Sequence, residues 1–326
     1  LPVQRNVLVG RNKECSAVCD MLLTANVNLV TLSGAPGIGK TRLAIEVAHC
    51  LRDGYFPDGI FFLSLAAFTE GEQVLAAIAQ ALRVGELTNT PVIELLQAFL
   101  CDKRLLLILD NFEQVIHAAP AVGELLQSAL HLKILVTSRI KLNLYAEHVF
   151  QVPPLELPDS ELPQTTEQVR RYAAVDLFLE RAKAAKNDFV LSDENAQDVA
   201  TLCMRLDGLP LAIELAAARS NMLSPHAMLI RLHDRFRFLK GASIDLPSHQ
   251  QSLMETVEWS YNLLGNEEKR LFQRLAVFSD GCSLEAAEAI CGTPDDLSID
   301  VLDGMSSLVR NNLLLAQGGV GEGNET

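Results

Sequence analysis

The sequence lacks the features of membrane proteins, of disulfide-rich proteins and of basic nucleic-acid-binding proteins. No apolar run approaches the roughly 20 residues that a membrane helix needs. The seven cysteines are odd in number and scattered, which disfavours a disulfide framework and predicts reduced thiols in a cytoplasmic protein. The net charge is −14, and such a surface repels the phosphates of nucleic acids and anionic lipids. We therefore expect no membrane partner and no direct nucleic-acid binding by this chain.

Metal-binding and targeting patterns are also scarce. The seven histidines form no H-x-x-x-H or H-E-x-x-H pattern. Cys15 and Cys19 stand four residues apart, a spacing that fits one face of a helix. Helix packing is the favoured interpretation of this pair, with a two-ligand metal site as the alternative. No basic segment followed by an apolar one opens the chain, so we expect no signal peptide. Because the sequence starts at Leu1 rather than Met, we expect it to be a piece of a longer protein.

Length and composition predict two or three globular domains, of which the first is α/β. The chain has 326 residues, 49% of them hydrophobic, and domains average about 150 residues. Up to residue 152, short β-rich apolar runs alternate with helical stretches, the pattern of a parallel sheet covered on both faces. The predicted strands are residues 29–33, 60–65, 104–110, 133–137 and 148–152, and the helices between them include 72–81 and 91–100. Residues 1–152 are therefore predicted to form a three-layer nucleotide-binding domain.

Two breaks divide the rest of the chain. Four prolines within residues 153–168 predict a linker, because they disfavour helices and central strands. Residues 169–240 are predicted to form an α-helical bundle with helices at 169–186, 192–205, 209–220 and 224–238, where Ser192 and Ser224 are the N-caps. Residues 241–326 are predicted to form a winged-helix domain with helices at 252–262, 266–278, 283–290 and 298–311, a strand at 313–316 and a truncated wing.

The most informative motif is the octapeptide at residues 34–41, here called the phosphate loop. It fits G-x-x-x-x-G-K-[ST] between a strand and a helix, a context that makes a chance match improbable. Glycines let backbone N–H groups turn inward around phosphate oxygens, at the positive end of the following helix. We expect Lys40 to contact the β and γ phosphates and Thr41 to ligate Mg²⁺. The predicted phosphate-binding residues are Gly34, Ala35, Pro36, Gly37, Ile38, Gly39, Lys40, Thr41 and Arg42.

Three further residues are candidates for the chemistry. Asp110 ends an apolar strand, the pattern of a Walker B element whose carboxylate reaches Mg²⁺; a core strand capped by a turn Asp is the alternative. Glu113 either activates the attacking water or is an exposed loop acid. Arg139 follows the predicted strand at 133–137, so it either lies in the ligand crevice and senses the γ-phosphate or is a surface Arg.

Five motifs in this order resemble STAND ATPases, a group that includes the NB-ARC modules. They are Val9-Gly10-Arg11, residues 34–41, residues 105–113, Thr137-Ser138-Arg139 and Gly208-Leu209-Pro210-Leu211-Ala212. The sequence is similar over nearly its whole length to the predicted ATPase part of bacterial LuxR- and SARP-type multidomain transcriptional regulators. The resemblance implies binding of ATP or ADP with Mg²⁺. It also implies that Val9 and Gly10 help to hold adenine, with Arg11 in the same motif, that Arg139 is the first γ-phosphate sensor, and that Pro210 packs on the nucleoside.

Two departures from the family pattern bear on activity. Many NB-ARC proteins carry a second acid directly after the Walker B Asp, where this chain has Asn111. An amide cannot act as a general base, so we expect slow ATP hydrolysis that depends on Glu113. The family's MHD-type segment would lie after the wing, and no histidine of this chain is assigned its role.

We therefore expect a nucleotide-controlled signalling switch, closed with ADP and open or oligomeric with ATP. Its effector and sensor domains would lie outside this chain, and transcription is the expected output. One alternative is an actively turning-over ATPase of the AAA type or a small-molecule kinase. Another is a DNA-binding winged helix, which residues 241–326 disfavour because they hold four basic and 14 acidic residues, a formal charge of −10.

Overall fold

A computed structural model describes most of the chain, and it separates two compact units, Leu1–Thr256 and Val257–Thr326. The described residues are 1–4, 7–52, 54–68, 70–85, 90–158, 165–232, 261, 264–278, 281–292, 298–310 and 313–314. The domain boundaries given above, at residues 152, 168 and 240, remain predictions.

A five-stranded parallel sheet organises the first unit, as the alternating pattern predicts. Its strands are β1 (Leu29–Ser33), β2 (Ile60–Ser64), β3 (Leu106–Asp110), β4 (Lys133–Thr137) and β5 (Glu147–Gln151). The strand order is β2-β3-β4-β1-β5, and every pairing is parallel. This order places the carboxyl ends of β3, β4 and β1 side by side, so the loops that follow these strands meet at one edge of the sheet.

Helices cover both faces of the sheet. They are α1 (Asn12–Leu23), α2 (Lys40–Cys50), α3 (Gly71–Leu82), α4 (Val92–Leu100) and α5 (Ala119–Ser128), with a 3-10 helix at Phe112–Ala118. On one face, α1 and α2 pack their apolar side chains against Val30 and Leu32 of β1. On the other face, α3, α4 and α5 pack against Leu107 and Leu109 of β3. Successive side chains of a strand therefore face opposite cores, which explains why β1 and β3 are buried throughout.

Five further described helices of the first unit share a core of their own. They are α6 (Thr166–Val169), α7 (Ala173–Ala185), α8 (Ala196–Arg205), α9 (Pro210–Ala217) and α10 (Pro225–Arg231), with a 3-10 helix at Ala218–Asn221. Ser224 is the N-cap of α10, as predicted, since its hydroxyl accepts a hydrogen bond from the Ala227 N–H. The predicted N-cap at Ser192 is wrong. The side chain of Asn195 accepts a bond from the Ser192 N–H at 3.0 Å, and this turn delays the start of α8 to Ala196.

The second unit contains three described helices, α11 (Asn266–Leu275), α12 (Leu284–Cys291) and α13 (Val301–Arg310). Their shared core includes Leu271, Ala287 and Leu308. Within the predicted strand at 313–316, residues 313 and 314 form a bend and the other two lie outside the described residues. The predicted helix at 252–262, apart from residue 261, and the predicted wing also lie outside them. Among the described helices, none is long and apolar enough to cross a membrane.

Candidate functional site

The phosphate loop connects β1 to α2 through backbone conformations that favour glycine. Gly37 and Gly39 have φ angles of +75° and +95°, a region that L side chains rarely adopt. No atom lies within 4 Å of a Cβ built on Gly39, whereas a Cβ on Gly37 would lie 2.9 Å from the Leu211 Cβ. Glycine is therefore needed at position 39 because of the backbone angle alone. At position 37 it is needed both for the backbone angle and for the close approach of α9.

Lys40 folds back over this loop. Its Nζ donates hydrogen bonds to the carbonyl oxygens of Gly34 at 2.7 Å and Ala35 at 3.2 Å. Burial lowers the pKa of Lys40 to about 8, although the nearby Glu113 carboxylate opposes this shift. The Lys40 ammonium is desolvated and bonded to two neutral carbonyl groups. A hydrogen bond to an anion would stabilise its charge more than these carbonyl groups do. The geometry suits capture of a phosphate within the loop.

Asp110 joins the phosphate loop to the end of β4. Its Oδ1 accepts hydrogen bonds from the Thr41 hydroxyl at 2.7 Å and from the Thr137 hydroxyl at 2.6 Å. The Asn111 N–H donates to the same Thr137 oxygen at 3.0 Å. Burial raises the pKa of Asp110, and the two hydroxyl donors lower it in part. The two predicted Mg²⁺ ligands, Thr41 and Asp110, are thus in direct contact. Both supply oxygen atoms, the type of ligand that Mg²⁺ prefers.

Glu113 and Arg139 form a buried ion pair at the same edge of the sheet. The Arg139 Nε lies 3.0 Å from the Glu113 Oε1, and the two side chains are only 5% and 2% exposed. The interpretations as an exposed loop acid and as a surface Arg are therefore wrong. Burial lowers the pKa of Arg139, and the Glu113 charge works against that shift. The Glu113 Oε2 is buried without a hydrogen-bond partner in the described part of the chain, so this carboxylate keeps an acceptor that a water or ligand can use.

Asn111 turns the chain between Asp110 and Glu113. It has a left-handed backbone conformation, with φ +61° and ψ +44°, and it precedes the 3-10 helix that carries Glu113. Asn tolerates this conformation better than most residues. The position directly after Asp110 is therefore used for a turn.

The Val9-Gly10-Arg11 segment lies between the phosphate loop and α7. The buried Arg11 donates a hydrogen bond to the Ile38 carbonyl in the loop at 3.3 Å and pairs with Glu14 at 3.3 Å. Gly10 has φ +68°, and a Cβ there would lie 2.2 Å from the Ala173 Cβ. Val9 packs against the core of α7–α10. This segment therefore contacts both the loop and the helices beyond the sheet.

Helix α9 approaches the loop from the other side. Pro210 is its first residue and is half-buried, and the next N–H, that of Leu211, donates to the Gly37 carbonyl at 3.2 Å. One turn further, Glu214 pairs with Arg42 of α2 at 3.1 Å and with Arg181 of α7 at 3.2 Å. The Arg42 guanidinium thus contacts α9, although the sequence places it among the phosphate-binding residues.

Three residues that complete this site were not among the predicted site residues. Thr137 could have been found from the sequence, because it is a polar residue at the end of a predicted buried strand and lies in the same motif as Arg139. Leu211 lies in the motif of Pro210, but no local spacing rule links Leu211 to Gly37 or Glu214 to Arg42, which are more than 170 positions away. Their contacts depend on how α9 docks on the loop.

Comparison with known proteins identifies the family. The NB-ARC domain model matches residues 11–149, the segment that contains the phosphate loop, Asp110, Glu113 and Arg139. An uncharacterised protein of Mycobacterium tuberculosis is 37% identical over 289 residues, which cover 88% of this chain and 70% of that protein. The chain belongs to the NB-ARC family of STAND P-loop NTPases. The resemblance inferred from its motifs is confirmed, and membership implies that this NB-ARC module binds a nucleotide.

Longer relatives include named regulators. A putative HTH-type transcriptional regulator of M. tuberculosis is 37% identical over 295 residues, 90% of this chain and 32% of the regulator. The regulatory protein AfsR of Streptomyces coelicolor is 30% identical over 337 residues, 96% of this chain and 31% of AfsR. This NB-ARC module therefore spans about a third of their length. The crystal structure of Cdc6p from Pyrobaculum aerophilum, 15% identical with a TM-score of 0.50 over 98% of this chain and 91% of that one, shares the fold.

Proposed function

We propose that this NB-ARC module is an adenine-nucleotide-dependent signalling switch within a larger regulator, closed with ADP and open with ATP. One observation carries the proposal: α9 donates a backbone hydrogen bond directly to the phosphate loop, from Leu211 to Gly37. A ligand in the loop and the docking of α9 thus depend on the same residues. A nucleotide that binds the docked and undocked forms unequally shifts the balance between them.

The residues at the loop fit a nucleotide with Mg²⁺. Lys40 would exchange the loop carbonyls for phosphate oxygens, and the backbone from Gly34 to Thr41 would surround the phosphates. Thr41 and Asp110 would hold the metal, directly or through water, which would neutralise phosphate charge. Val9, Gly10 and Pro210 would hold the adenine side. Arg11 already bonds the loop carbonyl of Ile38, so its contribution would be to support the loop.

Hydrolysis by this module would be slow. Glu113 is the proposed base, yet it is paired with Arg139, and Asn111 offers no second carboxylate. A γ-phosphate near Arg139 would compete with Glu113 for the guanidinium, because phosphate and carboxylate are both preferred Arg partners. Arg139 would then report the γ-phosphate, and Glu113 would be released towards water.

The rest of the proposal concerns the larger protein. A relative described as a putative transcriptional regulator supports transcription as the output. We also propose that effector and sensor domains lie outside this chain and that ATP-bound copies assemble. The helical bundle and winged-helix assignments belong to this proposal. The acidic residues 241–326, with a formal charge of −10, favour a packing role for the winged helix over DNA reading.

The switch can be tested by measuring one distance in two nucleotide states. Spin labels would be placed through Tyr145→Cys and Met222→Cys, positions that are highly exposed on the sheet side and beyond α9. In the same chain the accessible cysteines are replaced by Ser, namely Cys19, Cys50, Cys101 and Cys282. We expect a short, narrow distance distribution with ADP and a longer or broader one with ATP and Mg²⁺. Identical distributions at saturation with both nucleotides would refute the switch.

Turnover separates the switch from the alternative of an active ATPase. We expect hydrolysis far slower than about 10 per second, the typical rate of enzymes at saturating substrate. A rate near that value, with no change in the label distance, would favour an AAA-like motor instead.

A further inference from the structure

Two buried threonines of the sheet differ in how their hydroxyl groups are used. Thr31 lies within β1 and is 0% exposed, and Thr137 ends β4 and is 1% exposed. The Thr31 hydroxyl has no hydrogen-bond partner in the described part of the chain. The Thr137 hydroxyl donates to the Asp110 Oδ1 at 2.6 Å and accepts from the Asn111 N–H at 3.0 Å. Thr137 therefore connects the end of β4 to the end of β3 through its side chain.

Packing of the sheet does not require a hydroxyl group at position 137. The three preceding residues of β4, Ile134, Leu135 and Val136, are buried and apolar. Valine is β-branched like threonine, suits a strand and has nearly the same shape. A buried hydroxyl group without a partner costs free energy, so packing alone would favour a methyl group here. What the hydroxyl group adds is its two hydrogen bonds.

The backbone at Thr137 is held firmly by β1. Thr137 lies opposite Leu32 in the parallel pairing of β1 with β4, and the next N–H, that of Ser138, donates to the Leu32 carbonyl at 3.0 Å. A β-branched side chain has few rotamers. The Thr137 hydroxyl is therefore presented from a rigid element, which is what a group needs in order to hold a neighbouring carboxylate in one orientation.

We propose that Thr137 is a positioning residue, which orients the Asp110 carboxylate for the Mg²⁺ that accompanies the nucleotide. This inference rests on the proposed function. Asp110 accepts hydrogen bonds from the Thr41 and Thr137 hydroxyl groups on the same oxygen atom. Thr41 connects the carboxylate to the phosphate loop, and Thr137 holds it from the sheet. Loss of a partner that orients a metal ligand typically weakens metal binding by roughly 10- to 100-fold.

The same hydroxyl group also holds the turn at Asn111. The Asn111 N–H bonds the Thr137 oxygen, and Asn111 has a left-handed backbone conformation. The 3-10 helix that follows carries Glu113, the proposed base. One hydroxyl group therefore supports the metal-binding carboxylate and the turn that leads to the second carboxylate. Thr137 acts through Asp110 and Asn111, without touching the metal itself.

The test is the dependence of ATP binding on Mg²⁺, measured by titration calorimetry with Mg²⁺ and with EDTA. We expect Thr137→Val to keep the wild-type Kd in EDTA, and to bind ATP roughly 10- to 100-fold more weakly than wild type with Mg²⁺. Thr137→Ala should behave in the same way, which covers a failure of the valine variant to fold. Thr137→Ser retains the hydroxyl group and should restore most of the Mg²⁺ effect. The matched control Thr31→Val removes a buried hydroxyl group that has no described partner and should match wild type.

Amide hydrogen exchange gives a second readout, which needs no nucleotide. The Asn111 N–H loses its acceptor in Thr137→Val, so it should exchange faster than in wild type by NMR. It should exchange at the wild-type rate in Thr137→Ser and in Thr31→Val. An unchanged rate in Thr137→Val would contradict the role of this hydroxyl group in the Asn111 turn.

The titrations separate failure of this inference from failure of the proposed function. If Mg²⁺ strengthens ATP binding equally in wild type and Thr137→Val, the positioning role is wrong and the nucleotide switch is unaffected. An equal loss of affinity with Mg²⁺ and with EDTA would show that Thr137 supports the loop as a whole, which also overturns the inference. So would a Thr137→Ser chain that behaves like Thr137→Val. If wild type binds no ATP, the proposed function fails and the inference fails with it.

Discussion

The phosphate loop has two sides that differ in burial. On the β3–β4 side, Asp110, Glu113 and Arg139 are buried polar groups whose partners lie within 3.0 Å. On the α9 side, the polar contacts of the described residues include a backbone hydrogen bond at Gly37 and the partly exposed pair of Arg42 with Glu214. Breaking one buried ion pair costs several kcal/mol, whereas a partly exposed one contributes about 1 kcal/mol or less.

This difference assigns separate tasks to the two sides. The β3–β4 side is suited to hold one geometry until a γ-phosphate binds, because without that new partner a rearrangement leaves a buried charge unpaired. The α9 side is suited to open and close, since the ion pair of Arg42 with Glu214 is partly exposed and water can replace its partners. A switch needs both properties around one ligand. The following predictions test the contrast, beginning with the largest effect.

Removing the Arg139 side chain should give the largest loss of stability. Arg139→Ala leaves the Glu113 carboxylate buried without its cation, a defect that costs about 3–5 kcal/mol. Urea unfolding measures the loss. Adding Glu113→Gln to the same chain should recover much of it, and Lys141→Ala, at an exposed position, should change little. If Arg139→Ala lowered the free energy of unfolding by less than about 1 kcal/mol, the pair would contribute no more to stability than an exposed ion pair does.

Lys40→Ala should have the largest effect on ADP binding. Hydrogen bonds to charged groups contribute about 1.5–3 kcal/mol, or roughly 10- to 150-fold in Kd. Titration calorimetry measures the change, with Lys141→Ala again as the control. An unchanged Kd would show that the loop does not hold the phosphates.

The same titrations test the ionisation of Lys40. Its pKa is about 8 without ligand, and a bound phosphate favours the charged form and raises that pKa. Above about pH 8 the wild-type chain should therefore take up a proton on binding ADP, and its affinity should fall as the pH rises. Lys40→Ala should lose this proton uptake. Equal uptake in both chains would assign the proton to another group.

Asp110→Asn should separate stability from metal binding. Burial raises the pKa of Asp110 in the folded state. The folded protein therefore loses stability as the pH rises from the ordinary Asp pKa through the raised one, because the buried carboxyl has to ionise. The amide removes that charge and retains an acceptor for Thr41 and Thr137. At neutral pH we expect the variant to unfold at a higher urea concentration, while Mg²⁺ no longer strengthens ATP binding. A variant that is less stable and still responds to Mg²⁺ would contradict both parts.

Gly37→Ala should weaken the docking of α9. The positive φ angle alone costs about 1–2 kcal/mol in a residue with a Cβ. Gly39→Ala is the matched control, because it also places a Cβ at a positive φ angle, while no atom lies within 4 Å of that Cβ. We expect Gly37→Ala to be less stable than the control and to lengthen the Tyr145–Met222 label distance with ADP. Equal behaviour of the two variants would show that the contact with Leu211 is unimportant.

Glu214→Gln should have the smallest effect. Its pairs with Arg42 and Arg181 are partly exposed, and such pairs contribute about 0.2–1 kcal/mol. A double-mutant cycle with Arg42→Ala measures the coupling, which should shrink in high salt. A coupling above about 2 kcal/mol would indicate that the α9 side is as rigid as the β3–β4 side.

The contrast also explains which features the sequence predicts. Strands β1 and β4 match their predicted limits, because both are buried apolar runs with clear ends. The loop at residues 34–41 is a local motif, so its position between β1 and α2 follows from the order of residues. The carboxyl end of β3 meets that of β4 in any parallel sheet with this strand order. These features depend on periodicity and on local spacing.

Other features depend on docking and were missed or misplaced. The contact of Leu211 with Gly37 joins distant segments. The family resemblance places Pro210 at the nucleoside, but no local pattern indicates the hydrogen bond between Leu211 and Gly37. The sequence does not predict whether Glu113 and Arg139 are buried. Burial of either charge is favourable only when the two side chains pair, and that pairing depends on the folded structure. The late start of α8 follows from one side-chain hydrogen bond of Asn195, which competes with the cap expected at Ser192.

The central claim is that the phosphate loop holds an adenine nucleotide as part of a switch. The most direct measurement is the identity of the nucleotide that is released when the purified chain is denatured, separated by chromatography and compared with standards. We predict close to one ADP per chain, and none from Lys40→Ala purified in the same way. Release of no adenine nucleotide, together with unchanged ATP and ADP affinity in Lys40→Ala, would contradict the account.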